Sequence, residues 1–321
     1  MRIVVAVGGN ALIRAGQEGT WPEQLCNVRE IAEAVLALRA QGHEVVLTHG
    51  NGPQVGALLL QNALGEAEAA PLPLDALIAM TQGQIGYLLE SAFAALDPAV
   101  PTAVLLTRVL VDPSDPAFRR PTKPVGPFYD ADEARRRART LGWDVAPDAG
   151  RGWRRVVPSP LPLKVLGEEH VARLLEHGAV VIACGGGGIP VASEGAEVVG
   201  VAGVIDKDRC SARLAIDIRA DVLVLLTGVR RVALDYGTRW ERELARLTVS
   251  DAARGLADGD FPDGSMGPKM ESAGRFVEES GGRALVTAAD RLVAAVSGED
   301  GTWIVPDADG PSMVADGAVR T

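Results

Sequence analysis

Short aliphatic runs recur along the chain, and segments with a helical spacing of apolar residues separate them. The runs predict strands at residues 3–7, 45–48, 103–107, 179–184, 222–227, 284–287 and 302–305. Between the first two runs, apolar residues from Leu25 to Leu38 recur at helical spacing, and Gly42 is suited to end that helix. Alternation of this kind predicts an α/β fold in which helices cover both faces of a mainly parallel sheet.

Residues 113–162 interrupt this alternation. They contain nine of the 20 prolines and a basic, helix-like run at residues 132–141. A rigid connecting loop is one interpretation, but connections of this length are uncommon unless they are functional. We therefore predict a protruding subdomain that acts as a lid within a single domain spanning residues 1–321. Residues 1–170 and 171–306 form its two halves, and residues 307–321 form a loose tail.

Charge and composition exclude several classes of partner. A net charge of −10 argues against nucleic acid and anionic membranes. The apolar runs are far shorter than the ~20 residues of a membrane-spanning helix, and the amino-terminal run has the features of a buried strand, not of a signal peptide. The three cysteines have neither paired nor metal-ligand spacing. We expect a cytoplasmic enzyme that acts on small molecules.

Glycine-rich turns follow three of the predicted strands, at residues 8–10, 50–52 and 185–188. Glycine allows the backbone to approach a ligand closely, so that each turn can direct amide groups at an anion. Three such turns at strand ends predict one shared anion site, because ligands bind at the carboxyl ends of the strands in such sheets. The chain has no Walker A motif and no GxGxxG motif in a dinucleotide-binding context, which argues against a P-loop NTPase and a dehydrogenase.

Lysine is scarce in this chain, since only four of the 32 lysine and arginine residues are lysine. Lys123, Lys207 and Lys269 lie in unusual surroundings, whereas Lys164 receives no role. A lysine ammonium is a compact charge on a flexible stem that can follow a moving phosphoryl group. Simpler interpretations are that Asp208 caps a helix and that Asp206 or Lys207 is surface charge. For His49, a scaffold hydrogen bond is favoured over proton transfer.

Nine motifs, taken in order and spacing, resemble those of carbamate kinase in the amino acid kinase superfamily. They extend over nearly the whole chain, from residue 1 to about residue 306, and read MRIVVAVGGNAL, THGNGPQVG, AMTQGQIGYLL, PTKPVGPF, DAGRGWRRVVPSP, ACGGGGIPV, VIDKD, LLTGV and GSMGPK. The resemblance implies a three-layer αβα sandwich around an open, mainly parallel, eight-stranded sheet, and a homodimer. It also implies reversible phosphoryl transfer between MgATP and carbamate, which gives ADP and carbamoyl phosphate.

The resemblance assigns roles residue by residue. The catalytic residues would be Lys123, Lys207, Asp208 and Lys269. Carbamate and the phosphoryl oxygens would bind in the amino-terminal half to Gly8, Gly9, Asn10, Gly50, Asn51 and Gly52. ATP or ADP would bind in the carboxyl-terminal half to Gly185, Gly186, Gly187, Gly188, Thr227, Gly228, Val229, Tyr236 and Met266. Mg²⁺ would accompany the nucleotide, and no protein ligand is assigned to it.

Departures from the family pattern concentrate on the nucleotide side. Arg230 occupies a position that is commonly acidic in the family, and Tyr236-Gly237 is followed by residues 238–240 without a proline. Two alternatives therefore remain: another acylphosphate-forming kinase of the superfamily, and a non-catalytic sensor of carbamoyl phosphate or nucleotide. The family suggests a role in arginine breakdown, with ATP made from carbamoyl phosphate.

Overall fold

The computed structural model describes residues 1–14, 16–148, 152–261 and 266–314, and for Asn10 and Val314 it describes the backbone alone. The strands are β1 (Arg2–Val7), β2 (Glu44–His49), β3 (Thr102–Val104), β4 (Arg108–Val111), β5 (Lys123–Tyr129), β6 (Val145–Pro147), β7 (Trp153–Val157), β8 (Pro162–Val165), β9 (Val180–Ile182), β10 (Ile189–Glu194), β11 (Glu197–Gly200), β12 (Val222–Thr227), β13 (Ala233–Leu234), β14 (Arg242–Thr248), β15 (Arg283–Ala288), β16 (Thr302–Val305) and β17 (Met313–Val314).

The helices are α1 (Gly9–Leu12), α2 (Trp21–Ala40), α3 (Gly52–Gly65), α4 (Leu74–Leu96), α5 (Ala131–Leu141), α6 (Glu168–Glu176), α7 (Lys207–Asp217), α8 (Val249–Asp258), α9 (Met266–Ser280) and α10 (Leu292–Val296). Short 3-10 turns lie at Pro116–Phe118, Gly185–Gly187, Ala289–Arg291 and Asp307–Asp309. Helix α2 starts with a capping box formed by Thr20 and Glu23, and Gly42 follows its end at a φ of 82°. The predicted helix and its glycine stop are therefore confirmed.

A ten-stranded sheet forms the centre of the molecule, in the order β13-β14-β16-β15-β12-β1-β2-β9-β3, with β17 paired to β14. All seven strands predicted from the sequence belong to it. Pairing is parallel from β3 through β15, and β16 runs antiparallel to β15. The α/β class with a mainly parallel sheet is confirmed. The two-residue strands β13 and β17 extend the eight strands that the resemblance implied.

The side chains of β1 show why the sheet is covered on both faces. Ile3, Val5 and Val7 pack into a core with α2 and α4, whereas Val4 and Ala6 pack into a second core with α7 and α9. Each of these β1 residues is fully buried. Complete burial of an aliphatic side chain contributes roughly 1.5–3 kcal/mol, so these runs stabilise the sheet strongly between two helical layers.

Two smaller sheets lie outside the central one. One has the order β11-β10-β4-β8, and the other, β5-β7-β6, lies within the predicted lid segment together with α5. Asp130 caps α5, and Gly142 ends it in the left-handed region. The boundaries and movement of the lid stay a prediction.

The carboxyl-terminal part of the described chain returns to the sheet. Residues 307–309 form a 3-10 turn, and β17 pairs with β14. Residues 315–321, which make up the rest of the predicted tail, lie outside the described residues. Among the described residues, no helix combines the length and the apolar composition needed to cross a membrane.

Candidate active site

The carboxyl ends of neighbouring central strands open into a cavity of about 670 Å³. Glycine turns after β1 and β2 form one wall of it, and Thr227 at the end of β12 forms part of another. All three lysines that the sequence singled out, Lys123, Lys207 and Lys269, reach this cavity. The fold therefore brings the three lysines to one cavity, as the sequence predicted.

Asp206 caps α7. Its Oδ1 accepts hydrogen bonds from the backbone N–H groups of Asp208 at 2.9 Å and of Arg209 at 3.4 Å. The interpretation of Asp208 as the cap is therefore wrong, because the helix begins two residues earlier than that interpretation assumed. Capping by Asp206 leaves the Asp208 carboxylate available for other partners.

Asp208 lies between two lysines. Its Oδ1 accepts a hydrogen bond from Lys207 Nζ at 2.6 Å, and its Oδ2 accepts one from Lys269 Nζ at 2.9 Å. Asp208 is 4% exposed and Lys269 is 8% exposed, so this is a buried array of ions. Because α7 packs against α9, residues 61 positions apart in sequence meet at one carboxylate. Surface charge is therefore the wrong interpretation of Lys207.

The third lysine comes from the lid segment. Lys123 Nζ, on β5, donates a hydrogen bond to Asp206 Oδ2 at 2.6 Å. Asp206 is therefore bonded through both carboxylate oxygens, and its side chain is only 14% exposed, which also rules out surface charge for it. We call Lys123, Asp206, Lys207, Asp208 and Lys269 the lysine cluster.

Burial and charge act in opposite directions on the ionisable groups of the lysine cluster. Burial lowers the pKa of Lys207, Asp208 raises it and Lys269 lowers it again, so that the pKa of Lys207 lies below its usual range. Burial raises the pKa of Asp206, but attraction to Lys123 and Lys207 outweighs it and holds that pKa well below the usual range. Asp206 is therefore a carboxylate at neutral pH.

The predicted acceptor-side residues border the same cavity. Gly8, Gly9, Gly50, Asn51 and Gly52 line it, and the side chain of Asn10 lies outside the described residues. A Cβ at Gly50 would make a tight contact of 3.3 Å with the backbone nitrogen of Gly9 and would lie 3.5 Å from Cδ of Lys207. This close approach brings the second glycine turn against both the first turn and the stem of Lys207.

His49 is the last residue of β2 and Asn51 follows the strand, and both side chains are buried and held in place. Asn51 Nδ2 donates a hydrogen bond to Thr81 Oγ1 at 2.8 Å. His49 Nδ1–H donates to the carbonyl of Gly50 at 3.0 Å, and burial lowers the pKa of His49 to about 4. The imidazole is therefore neutral at physiological pH, and the predicted scaffold hydrogen bond is confirmed.

Five of the predicted nucleotide residues are divided among three places. Thr227 and Gly228 line the main cavity, whereas Val229 and Tyr236 line a neighbouring cavity of about 390 Å³. Met266 begins α9 and packs partly buried against the core. These residues all lie on the β12 and α9 side of the lysine cluster.

The glycines at 185–188 follow β9, on the other side of β1 from β12. Only Gly186 among them lines the main cavity. Its φ is +66°, and a side chain there would overlap the amide of Asn51. A side chain at Gly185 would likewise overlap His49. These glycines therefore pack against the acceptor side, and their assignment to the nucleotide stays a prediction without a contact to support it.

Sequence reasoning missed Asp206 as a site residue, although an acidic residue directly before a lysine at a helix start was a usable signal. It also gave no role to Thr81, whose hydroxyl orients Asn51 from α4. The fourth lysine, Lys164, lies on β8 with its side chain 55% exposed and pairs with Glu168 at 3.1 Å. Within the described residues, no group of three or more His, Cys, Asp or Glu side chains could hold a metal ion.

Comparison with known proteins identifies relatives over almost the whole chain. The sequence profile of the amino acid kinase family matches residues 1–288. A carbamate kinase of Thermococcus kodakarensis is 47% identical over 311 residues, covering 95% of this chain and 99% of the relative. A carbamate kinase of Pyrococcus furiosus is 45% identical over 313 residues, covering 95% and 99%. The structure of carbamate kinase from Giardia lamblia bound to AMP-PNP has a TM-score of 0.88 and 39% identity, covering 95% and 98%.

Proposed function

The chain belongs to the carbamate kinases of the amino acid kinase family, and on that premise we propose how it works: it transfers a phosphoryl group between ATP and carbamate. We infer that it makes ATP from carbamoyl phosphate in the cell, as part of arginine breakdown. The solved relative holds a non-hydrolysable ATP analogue, which supports nucleotide binding by this chain.

The observation that carries the proposal is the Asp208 carboxylate between two lysine ammonium groups at the carboxyl ends of the strands. Phosphoryl transfer requires positioning and neutralisation of the charge on the moving group, and no covalent protein intermediate is needed. Two ammonium groups fixed by one carboxylate supply that charge in a defined place. A binding site for a neutral ligand would not require them.

Carbamate has an anionic oxygen that can attack the γ-phosphorus directly, so no general base is required. In the reverse direction the β-phosphate oxygen of ADP attacks the phosphorus of carbamoyl phosphate, and the bond to the carbamate oxygen breaks. The barrier in both directions includes repulsion between two anions, which fixed cations and amide donors reduce. We assign that task to Lys207 and Lys269, with Asp208 as the residue that positions them and Lys123 as a third cation from the lid.

The substrates then occupy opposite sides of the lysine cluster. Carbamate and the phosphoryl oxygens bind to the backbone amides of Gly8, Gly9, Gly50 and Gly52 and to Asn51, with Asn10 as a further predicted contact. The nucleotide phosphates lie near Thr227 and Gly228, and the base extends toward the cavity beside Val229 and Tyr236, with Met266 on the same side.

Mg²⁺ fits this arrangement as a companion of the nucleotide. It is typically held by one or two carboxylates together with substrate phosphates and water. In the cavity wall Glu30, Asp206, Asp208 and Asp290 are each ion-paired, but the contact of Asp290 with Arg291 is the longest of these pairs at 3.5 Å and the most exposed, so we assign Asp290 as the carboxylate that would hold the metal. When bound, Mg²⁺ would neutralise charge on the phosphate oxygens.

We also propose a cytoplasmic homodimer. The three cysteines are free thiols, which is consistent with a reducing compartment.

Helix α4 exposes Met80 and Tyr87, and Tyr87 stacks on Trp21 of α2 at a ring-centroid distance of 5.9 Å although both rings remain exposed. An exposed apolar face of this kind suits a second copy of the chain. Light scattering should give twice the chain mass for the wild type and a monomer for Tyr87→Glu.

A coupled assay tests the proposed activity. Purified protein is mixed with ADP, Mg²⁺ and freshly prepared carbamoyl phosphate, and ATP formation is followed. Acetyl phosphate in place of carbamoyl phosphate separates carbamate kinase from another acylphosphate-forming kinase. Rapid ATP formation from carbamoyl phosphate alone supports the proposal. Calorimetric binding of carbamoyl phosphate without any ATP formation would favour a sensor.

A further inference from the structure

Asp206 is bonded to two parts of the molecule through its two carboxylate oxygens. Oδ1 caps α7, the helix that carries Lys207 and Asp208, and Oδ2 holds Lys123 of β5 at 2.6 Å. A cap needs only one oxygen, and a neutral side chain supplies it equally well. The contact to Lys123 is thus separate from the cap, and it needs the charge.

Other contacts bring β5 close to the cavity without fixing the end of the lysine. Gly126 of β5 packs directly on Gly56 of α3, where a side chain on Gly56 would overlap the Gly126 backbone. Arg154 Nε, from β7, donates a hydrogen bond to the carbonyl of Gly126 at 2.9 Å. These contacts place the backbone of β5, whereas the Lys123 side chain is 34% exposed and could extend into solvent.

The charges of the lysine cluster explain why a partner is needed for Lys123. The cluster contains three ammonium groups and two carboxylates, and Asp208 already serves Lys207 and Lys269. Without the charge of Asp206, three ammonium groups would share one carboxylate. Repulsion would then displace Lys123, the most exposed of the three lysines, because like charges repel strongly where water is largely excluded.

We propose that Asp206 is a positioning residue for phosphoryl transfer: it holds the Lys123 ammonium at the cavity, beside Lys207, so that an arriving phosphoryl group meets three cations already in place. This inference rests on the proposed function. It assigns to Asp206 a task beyond its cap, and it links the lid segment to the amino terminus of α7. The phosphoryl group competes with Asp206 for Lys123 and draws the ammonium only a short distance.

Kinetics of cap-preserving variants test the inference. Asp206→Asn and Asp206→Ser keep an N-cap residue but lose the charge. Both variants lose the charge-assisted contact that positions the Lys123 ammonium. We therefore expect the KM for carbamoyl phosphate to rise about tenfold, while kcat changes less than about threefold. Glu44→Gln is the matched control, since it removes a similarly exposed ion pair with Arg2 that does not line the cavity. It should leave both constants unchanged.

A double-mutant cycle separates positioning from a structural effect. Lys123→Met should raise the same KM, and the Lys123→Met, Asp206→Asn double variant should be no worse than Lys123→Met alone, because both changes remove one contact. If the effects of the two substitutions on this KM multiply in the double variant, the proposal is overturned. A fall in kcat together with a lower melting temperature for both cap-preserving variants would do the same.

Reactivity of the lysine side chain tests the contact independently of any activity. In the ligand-free protein, an amine-directed acylating reagent, followed by mass spectrometry, should modify Lys123 about tenfold faster in Asp206→Asn than in the wild type, because the charge-assisted contact that holds the ammonium is lost. Modification of the exposed Lys164, which lies outside the cavity, should not change. Unchanged reactivity of Lys123 would overturn the inference even if the enzyme is a carbamate kinase. Faster modification of Lys123 in a protein that forms no ATP would support the contact and reject the proposed reaction instead.

Discussion

The lysine cluster and the nucleotide-side segment, which we define as residues 229–243, differ in burial and in the sequence range of their contacts. In the lysine cluster, Asp208 and Lys269 are buried and bonded to each other across 61 positions of sequence. In the nucleotide-side segment, Tyr236 is 62% exposed and Trp240 is 65% exposed. Its turn is closed by local bonds, such as Thr238 Oγ1 to the carbonyl of Asp235.

This difference indicates where the protein tolerates amino-acid substitutions. A buried ion that loses its partner leaves an uncompensated charge, which costs several kcal/mol, whereas an exposed turn can rearrange in water. Departures from the family pattern at Arg230 and residues 238–240 lie in the exposed segment. Arg230 itself pairs with Asp300, which is also bonded to Arg231, so that no buried charge depends on Arg230 alone.

Loss of Lys207 or Lys269 should have the largest effect. Lys207→Ala and Lys269→Ala should each lower kcat by about 10³-fold, because charge that stabilises only the transition state is removed. Lys164→Ala is the matched control, since that lysine is exposed and lies outside the cavity. The coupled ATP assay measures all three. If kcat falls only a few-fold in both Lys207→Ala and Lys269→Ala, the lysine cluster and the nucleotide-side segment would not differ in their importance for turnover.

Removal of the shared carboxylate should destabilise the fold. Asp208→Asn leaves the ammonium groups of Lys207 and Lys269 without the carboxylate that bonds both, and it should lower the free energy of unfolding by about 3–5 kcal/mol at pH 7. Urea denaturation of the variant and the wild type measures this difference in the free energy of unfolding.

The pH dependence of that loss has a definite sign. The pKa of Lys207 already lies below the ordinary value of 10.5, and loss of Asp208 lowers it further. As pH rises toward 10.5, the folded variant releases this proton while the unfolded chain keeps it, so that stability rises with pH. The deficit relative to wild type should shrink toward pH 10, and a deficit that grows with pH would contradict the assignment.

The lowered pKa of His49 predicts a decrease of intermediate size in the free energy of unfolding at acidic pH. Its pKa is about 4 in the folded protein against an ordinary value of 6.5. Between these values the unfolded chain binds a proton that the folded protein does not, so the free energy of unfolding falls by up to about 3 kcal/mol as pH drops from 6.5 to 4. His49→Gln should flatten this slope, and the exposed His177→Gln should preserve it. Equal slopes for wild type and His49→Gln would contradict the assignment.

Substitution in the nucleotide-side segment should have the smallest effect. Tyr236→Ala should raise the KM for ADP about fivefold and leave kcat nearly unchanged, because an exposed ring contributes binding contact only. Trp240→Ala is the control from the same segment, since Trp240 does not line the neighbouring cavity. A fall in kcat for Tyr236→Ala that matched the lysine variants would show that the two regions act as one.

Most central strands could be predicted because both of their faces are buried, which leaves continuous aliphatic runs such as residues 222–227. The site could be located because carboxyl ends of parallel strands meet at one edge, and because lysines are scarce in a chain that otherwise uses arginine. The pairing of Lys123 with Asp206 could not be predicted, since the residues are 83 positions apart and meet only through the placement of β5 on α3.

The glycines at 185–188 illustrate a second limit. A glycine turn after a strand has the same local sequence whether it faces a ligand or a neighbouring side chain. Only the packing of β9 beside β2 shows that Gly185 and Gly186 make room for His49 and Asn51. Likewise, in the sheet β11-β10-β4-β8 the pairings of β4 with β10 and with β8 join distant segments that no local pattern specifies.

A single-turnover experiment tests the central claim most directly, namely that Lys207 and Lys269 of the lysine cluster stabilise the transferring group, whereas the rest of the cavity binds the substrates. Excess enzyme, ADP and Mg²⁺ are mixed with limiting carbamoyl phosphate, and ATP is quantified after rapid quenching, with ligand saturation verified by calorimetry. The account predicts transfer about 10³-fold slower in Lys207→Ala than in Lys164→Ala, with both ligands still bound. Transfer rates within tenfold of each other would contradict it.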